Sequence, residues 1–397
     1  MRITNSMMVN TLNRNVASNL NRMDLLQNQM ATGRKFANIS DDPVALIYSQ
    51  SARNMMTRIA NFQRSAQTAG NWLRAAEDAI MDTQRTLVDL YVETVNAASD
   101  TKGTGEDADK RNIAPAIAQL KKNIVDNLNV TMNNRFMFGG HNTPGDPAGP
   151  AHIQDQSTRA FTVENEILHF NGFNISQFDG MPAAAFNYLF NHPQPPDAAA
   201  LATASGPAMN PPIGDPPTAF DFGAFTLADM QQMHRLMNDV PTFVVGPGIE
   251  MPVTANGIDL ALFMTPALDE EGNPLTTADG TRVMVMRNVW NVADDLHRKV
   301  DAGLPAEQIA ASIRPLQDAQ NHLLTRTADI GGRVRRLEML EARYENDLIN
   351  YERMRSEAED VDFAESIMNF RMAEAVYQAA LSAGARIIQP TLMDFLR

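Results

Sequence analysis

The sequence predicts a mostly α-helical protein with a β-rich insertion. Its N- and C-terminal segments form a long, antiparallel, coiled-coil-like helical bundle, and a central α+β or all-β domain is inserted between them. Three observations carry this. Apolar residues recur every seven positions at both ends of the 397-residue chain, composition changes abruptly near residue 141, and helical periodicity resumes near residue 286. The expected division is 1–42, a short terminal helix; 43–140, long helices; 141–285, the insert; 286–358, a returning long helix; and 359–397, a second short terminal helix.

In the first segment Val9, Val16, Met23 and Met30 form one seven-residue series and Leu12 and Leu26 a second, with Asn19 in its gap. A sustained three-four spacing keeps one apolar stripe on one side of a helix and calls for a partner. Asn19 reads either as an amide that sets register inside the seam or as a rim residue beside Leu20, and the rim is preferred. The helix is expected to close at Gly33, with Arg34 and Lys35 at the negative end of its dipole. Within "MATGRKFANISDDPVAL", Asp41 and Asp42 then precede Pro43, which suits the first position of a new helix because its missing N–H would have no partner there. Gly33, Asp41, Asp42 and Pro43 are therefore expected to form a joint between helices.

The second helix carries two ladders, Ala45 to Leu87 and Tyr48 to Leu90, and should run for about fifty residues, roughly 75 Å at about 1.5 Å per residue. A third, after "SDTKGTGEDAD", shows Ile113, Ile117, Leu120, Ile124 and Leu128 on one stripe. Between 141 and 285 the chain holds 17 of its 22 prolines, and short apolar runs such as "FTVENEILHF", "TFVVG" and "TRVMVM" alternate with turn residues. One helix is expected there, at "TLADMQQMHRLMND". Helical periodicity returns through "VMRNVWNVADDLHRKV", breaks around Pro305 to Pro315, and continues as Leu316, Leu323, Ile330, Leu337, Tyr344 and Tyr351.

Asp362 caps the last helix, which places Ile367, Phe370, Tyr377, Leu381 and Ile388 on one face. Met368, Met372, Val376 and Ile387 fall on other sides, so this helix is apolar around much of its circumference. Such a helix belongs in a large core, a membrane or a polymer. No apolar run approaches the roughly 18 residues of a membrane span, and the N-terminus lacks the apolar core of a secretory signal. Assembly is the remaining expectation. The two ends carry opposite charge, 5 basic and 1 acidic residue in 1–40 against 3 basic and 6 acidic in 359–397, which favours their pairing.

The net charge of −14 argues against a nucleic-acid partner, and residues 141–285, with 16 acidic and 3 basic side chains, account for nearly all of it. No cysteine is present, so thiolate catalysis and Cys-ligated metals are excluded. Seven histidines are scattered without a paired helical spacing, so no catalytic, cofactor or metal site is expected. Asp269, Glu270, Glu271 and Asp279 lack the alternating ligand spacing of a calcium loop and read as a solvated turn.

"MRITNSMM", "MATGRKFANISDDPVAL", "NNRFMFGGHNT", "TADIGGRVRRLE", "SEAEDVDFAESI" and "QPTLMDFLR" occur in this order at the two ends of the chain. Together they resemble the flagellin superfamily and, within it, the hook-associated protein 3 family of hook–filament junction proteins. Proline in "NISDDPVAL", where flagellins have alanine, favours the junction family over a flagellin-type filament subunit. The resemblance implies a structural, non-enzymatic axial protein, exported to the extracellular flagellum through the flagellar type III apparatus. Its implied neighbours are a hook-associated protein 1-type subunit, flagellin, copies of itself in a ring and an export chaperone, with no membrane partner. A coiled-coil sensor fragment, suggested by the long helices alone, would need a membrane span. The insert lies outside the resemblance.

Overall fold

The computed structural model describes residues 5–36, 38, 40–99, 112–140, 159–191, 194–206, 209, 220–268, 273–276 and 280–387. These divide into two compact units, residues 1–63 with 342–397 and residues 64–341. Two long helices, α2 (Pro43–Ala97) and α10 (Ile313–Glu359), contribute residues to both. The seven-residue ladders foresaw both helices.

In the first unit, α1 (Asn5–Thr32) runs antiparallel to α11 (Phe363–Ile387). The beginning of α2 and the end of α10 complete this unit. Phe62 stacks on Tyr344, with ring centroids 6.2 Å apart.

In the second unit the ladders become the core. Ala66, Leu73, Ile80 and Leu87 of α2 are buried, as are Leu316, Leu323, Ile330 and Leu337 of α10. Helix α3 (Ala114–Leu128) joins them, with Ile117, Ile124 and Leu128 buried and Leu120 packed at the margin. Lys121 of α3 forms a buried ion pair with Asp294, 2.6 Å away, and its ammonium lies 4.7 Å from the Trp290 ring centroid. A buried charge pair of this kind needs both partners, because either alone would be stranded away from water.

Between the helical segments lie short strands in separate small antiparallel sheets. Strands β1 (Thr131–Met132) and β2 (Arg135–Phe136) make a hairpin; β3 (Phe161–Glu164), β4 (Ile167–Phe170) and β5 (Phe173–Asn174) make a three-stranded meander. Their two-residue turns, Asn133–Asn134, Asn165–Glu166 and Asn171–Gly172, all have positive φ at both positions, the geometry whose twist matches antiparallel strands. A second ribbon pairs β6 (Thr242–Gly246) with β7 (Ile249–Pro252), and a third pairs β8 (Leu262–Pro266) with β9 (Met284–Asn288).

Helices occupy more of this region than expected. Besides the anticipated α6 (Leu227–Asn238), closed by a Thr226–Asp229 capping box, it contains α4 (Ala183–Phe190), α5 (Ala198–Ala204) and α7 (Gly257–Ala261). In α4 the run "AAAFNYLF" has no polar face from which a period could be read, because Phe186, Leu189 and Phe190 are all buried. The helical period expected through "VMRNVWNV" begins late: its first residues are β9, and Asn288 caps α8 (Val289–Asp301). The expected boundary at 285/286 thus falls inside a strand. Short α9 (Ala306–Ala310) precedes α10, in accord with the break near Pro305. The acidic turn at Asp269, Glu270, Glu271 and Asp279 lies outside the described residues.

The paired terminal helices and their joint as the candidate functional site

The seam between α1 and α11 is built from both heptad series of α1. Leu26 is buried, and Val9, Leu12, Val16, Met23 and Met30 are half-buried. On α11 the less exposed positions include Ser366, Phe370, Ala373, Tyr377, Ala380 and Gly384, again at three- and four-residue steps. Small residues let the backbones approach, and a Cβ added at Gly384 would lie 2.6 Å from a Leu12 methyl. Asn19 stands within this seam and not at its rim: its Nδ2 donates to the Ala373 carbonyl across the pair, at 2.8 Å. The bond ties one turn of α1 to one turn of α11, as a register-setting amide does.

The residues predicted as one face of α11 separate into two. Phe370 and Tyr377 lie in the intrachain seam, whereas Ile367 and Leu381 are exposed. Met368, Met372 and Val376, spaced by four, form an exposed apolar stripe on another side of the helix, and these three with Ile367 and Leu381 are between 48% and 59% exposed. Gly384, not Leu381, continues the seam, and this shifts the large side chains outward. Ile388 lies outside the described residues. On α1, Met7, Met8, Leu20 and Leu25 are likewise exposed.

The joint is more elaborate than a turn between helices. Gly33 ends α1 with φ +71°, and its N–H donates to the Gln29 carbonyl at 2.8 Å. Asp42 caps α2, its Oδ1 accepting from the N–H groups of Val44 and Ala45 at 3.1 and 2.9 Å, and Pro43 is the first residue of the helix. Asp41 closes the loop by accepting from the Asn38 N–H at 2.8 Å. The second joint mirrors the first, with Asp362 Oδ1 accepting from Ala364 and Glu365.

The two joints are then stitched together. Lys35 N–H donates to the Glu359 carbonyl at 2.7 Å, Val361 N–H donates to the Gly33 carbonyl at 3.0 Å, and Arg34 faces Asp360 as an antiparallel bridge. Below this ribbon the buried Glu359 carboxylate receives Arg34 Nε at 2.6 Å, Arg53 Nη2 at 2.6 Å and Ser49 Oγ at 2.8 Å. Burial alone would raise this carboxyl, but hydrogen bonds from Arg53 and Ser49 and the charges of Arg53 and Arg34 outweigh it. The group is held below its ordinary 4.5. Arg34 and Lys35, expected to answer a helix dipole, instead pair with Glu359 and, through Lys35 Nζ, with the Glu357 carbonyl at 2.6 Å. Sequence reasoning missed Glu359, Ser49 and Arg53, although Glu359 lies within the "SEAEDVDFAESI" motif.

Among the described residues no group of three or more His, Asp or Glu side chains could hold a metal ion, and no helix is long and apolar enough to cross a membrane. What the site can do is hold two helix ends as one piece while presenting an apolar stripe.

Residues 3–143 match the family of the bacterial flagellin N-terminal helical region. No curated protein matches the chain. Among solved structures, one described as a flagellar hook-associated protein from Vibrio parahaemolyticus superposes with a TM-score of 0.51 at 14% identity, covering 81% of this chain and 100% of its own. FlgL of Xanthomonas campestris gives 0.48 at 11% identity, over 77% of this chain and 99% of its own. The flagellar junction protein FlgL of Legionella pneumophila gives 0.45 at 13%, over 79% and 100%. Over residues 3–143 the chain thus matches the bacterial flagellin N-terminal helical region, and it shares the fold of a structure described as a flagellar hook-associated protein.

Proposed function

We propose that this chain is an axial structural subunit of the bacterial flagellum that joins the hook to the flagellin filament. The observation that carries the reading is the set of exposed apolar side chains around α11, Ile367, Met368, Met372, Val376 and Leu381, on a chain with a flagellin-type N-terminal region. Leaving so many large apolar side chains in water around one helix is unfavourable, so partner surfaces are required. In an axial lattice the neighbours supply them. They would be copies of this chain in a ring, a hook-associated protein 1-type subunit on one side and flagellin on the other. Export through the flagellar type III apparatus, with a chaperone covering the stripe beforehand, completes the reading. Residues 1–42 and 359–397 would form an inner tube, 43–140 with 286–358 the surrounding shell, and 141–285 an outward domain. The role is architectural and not catalytic.

The test is assembly on isolated hooks. Removing residues 1–40 or 359–397 should abolish attachment to the hook end, and images of hooks with the full chain should show a short cap of density that then accepts flagellin. Attachment by either truncated chain would sink the proposal. The flagellin N-terminal match also favours a filament subunit. That alternative predicts long filaments of this chain alone on the same hooks.

A further inference from the structure

One face of α10 holds the inserted region through four side chains, Asp318, His322, Arg326 and Arg333, spaced by four, four and seven residues. Asp318 Oδ2 accepts from Thr265 Oγ1 at 2.6 Å. His322 Nε2 lies 2.6 Å from the Asp259 carbonyl, and Arg326 Nη2 reaches Asp259 Oδ1 at 2.6 Å. Arg333 Nη1 lies 3.4 Å from the carbonyls of Pro252 and Thr254. All four therefore grip one continuous segment, residues 252–265, which contains α7 and most of β8.

We propose that His322 makes this grip acid-sensitive: segment 252–265 is held while the imidazole is neutral and opens more readily once it takes up a proton. The geometry dictates the tautomer. A carbonyl can only accept, so Nε2 carries the hydrogen and an added proton must go to Nδ1. The new charge would be poorly housed. The groups facing it are the Asp259 carboxylate from α7, which Arg326 already engages; Asp318 and Arg326 from α10 itself; the Phe263 ring of β8, 6.3 Å away between centroids; Met286 of β9; and the uncharged Asn187 and Asn191 of α4, while Asp329 and Arg333 act on Asp259. A cavity of about 440 Å³ beside the cluster gives solvent protons access.

Burial pushes the imidazole below its ordinary 6.5. The Asp259 carbonyl opposes this, Arg326 adds to it, and the Asp259 carboxylate opposes it again. A histidine whose pKa is lowered in the closed form binds its proton better when open. The grip is complete above 6.5 and weakens as pH falls below it, by at most tenfold per pH unit. The Asp259 carboxyl has the opposite sign. Burial raises it above 3.8, against Arg326 and His322, so its protonation favours the closed form and cannot cause opening in acid.

Hydrogen exchange of the full chain, corrected for intrinsic chemistry, tests this. Between pH 7.5 and 5.5 the opening equilibrium of peptides within 252–265 should rise by up to about tenfold, while peptides within 64–97 stay constant. His322→Gln keeps an N–H donor without a titrating ring and should abolish the rise; Asp259→Asn keeps the carbonyl and should retain it. No rise in the unaltered chain, an equal rise in His322→Gln, or a parallel rise in 64–97 would overturn the proposal. Should His322→Gln fail to fold, NMR titration of His322 in the unaltered chain decides: a midpoint at or above 6.5 refutes the mechanism, and one below 6.5 that tracks the opening supports it.

Discussion

Gly257 has room for a hydrogen and nothing larger. A Cβ there would lie 2.5 Å from the Phe138 carbonyl oxygen and 2.7 and 2.8 Å from the rings of Phe170 and Phe161. The backbone oxygen cannot turn aside, and both rings are buried in the core. Gly257→Ala should therefore destabilise the fold by about 3 kcal/mol, the upper part of the range for overpacking, read as a lowered denaturant midpoint with unchanged slope. Neither this demand nor the convergence on Glu359 was legible in the sequence, because each arises from atoms brought together by folding. The caps at Asp42 and Asp362 were legible, since a cap acts on N–H groups two and three residues away and its chemistry is complete within one turn.

The terminal pair shows what an element can and cannot announce. On α1 the heptad positions coincide with the buried and half-buried residues of the intrachain seam, because those positions face one way on any helix. On α11 the large apolar residues drew attention to Ile367 and Leu381, whereas the seam runs through Ala373 and Gly384. Close approach selects for small side chains, which apolar periodicity underweights. Asn19 belongs to the same scale. Its acceptor, the Ala373 carbonyl, lies within helix α11, whose own backbone ladder also draws on it, so losing the amide strands little. Asn19→Leu should accordingly tighten the α1–α11 pair by about 1 kcal/mol, seen as roughly fivefold slower exchange of α11 amides, while loosening the choice of register. Faster exchange would show that the amide contributes net stability.

At the scale of the molecule, the Glu359 clamp and the His322 grip respond to acid at different points. The Glu359 clamp has a depressed carboxyl, so its contribution is complete above 4.5 and fades only as pH falls through the lower folded value. The His322 grip weakens already below 6.5. Acidification from pH 7 to 5 should thus leave exchange at residues 29–35 and 355–362 unchanged. Glu359→Gln should weaken that joint by about 2 kcal/mol at pH 7, short of the ~3–5 kcal/mol for a fully buried pair because Arg34 and Arg53 are partly exposed. Loss of protection at the joint by pH 5 would contradict the assignment. The sequence by itself determined the long helices, the capped joints and the interruption between them, because periodicity and capping are local and survive any tertiary arrangement. Only the tertiary structure decided which apolar residues close on each other and which stay exposed, and where Glu359 and His322 find their partners. Those outcomes depend on distances between segments far apart in sequence, from 63 residues for His322 and Asp259 to 310 for Ser49 and Glu359. "MATGRKFANISDDPVAL" announced a joint in sequence, and the fold alone locked that joint to its counterpart at the other end of the chain.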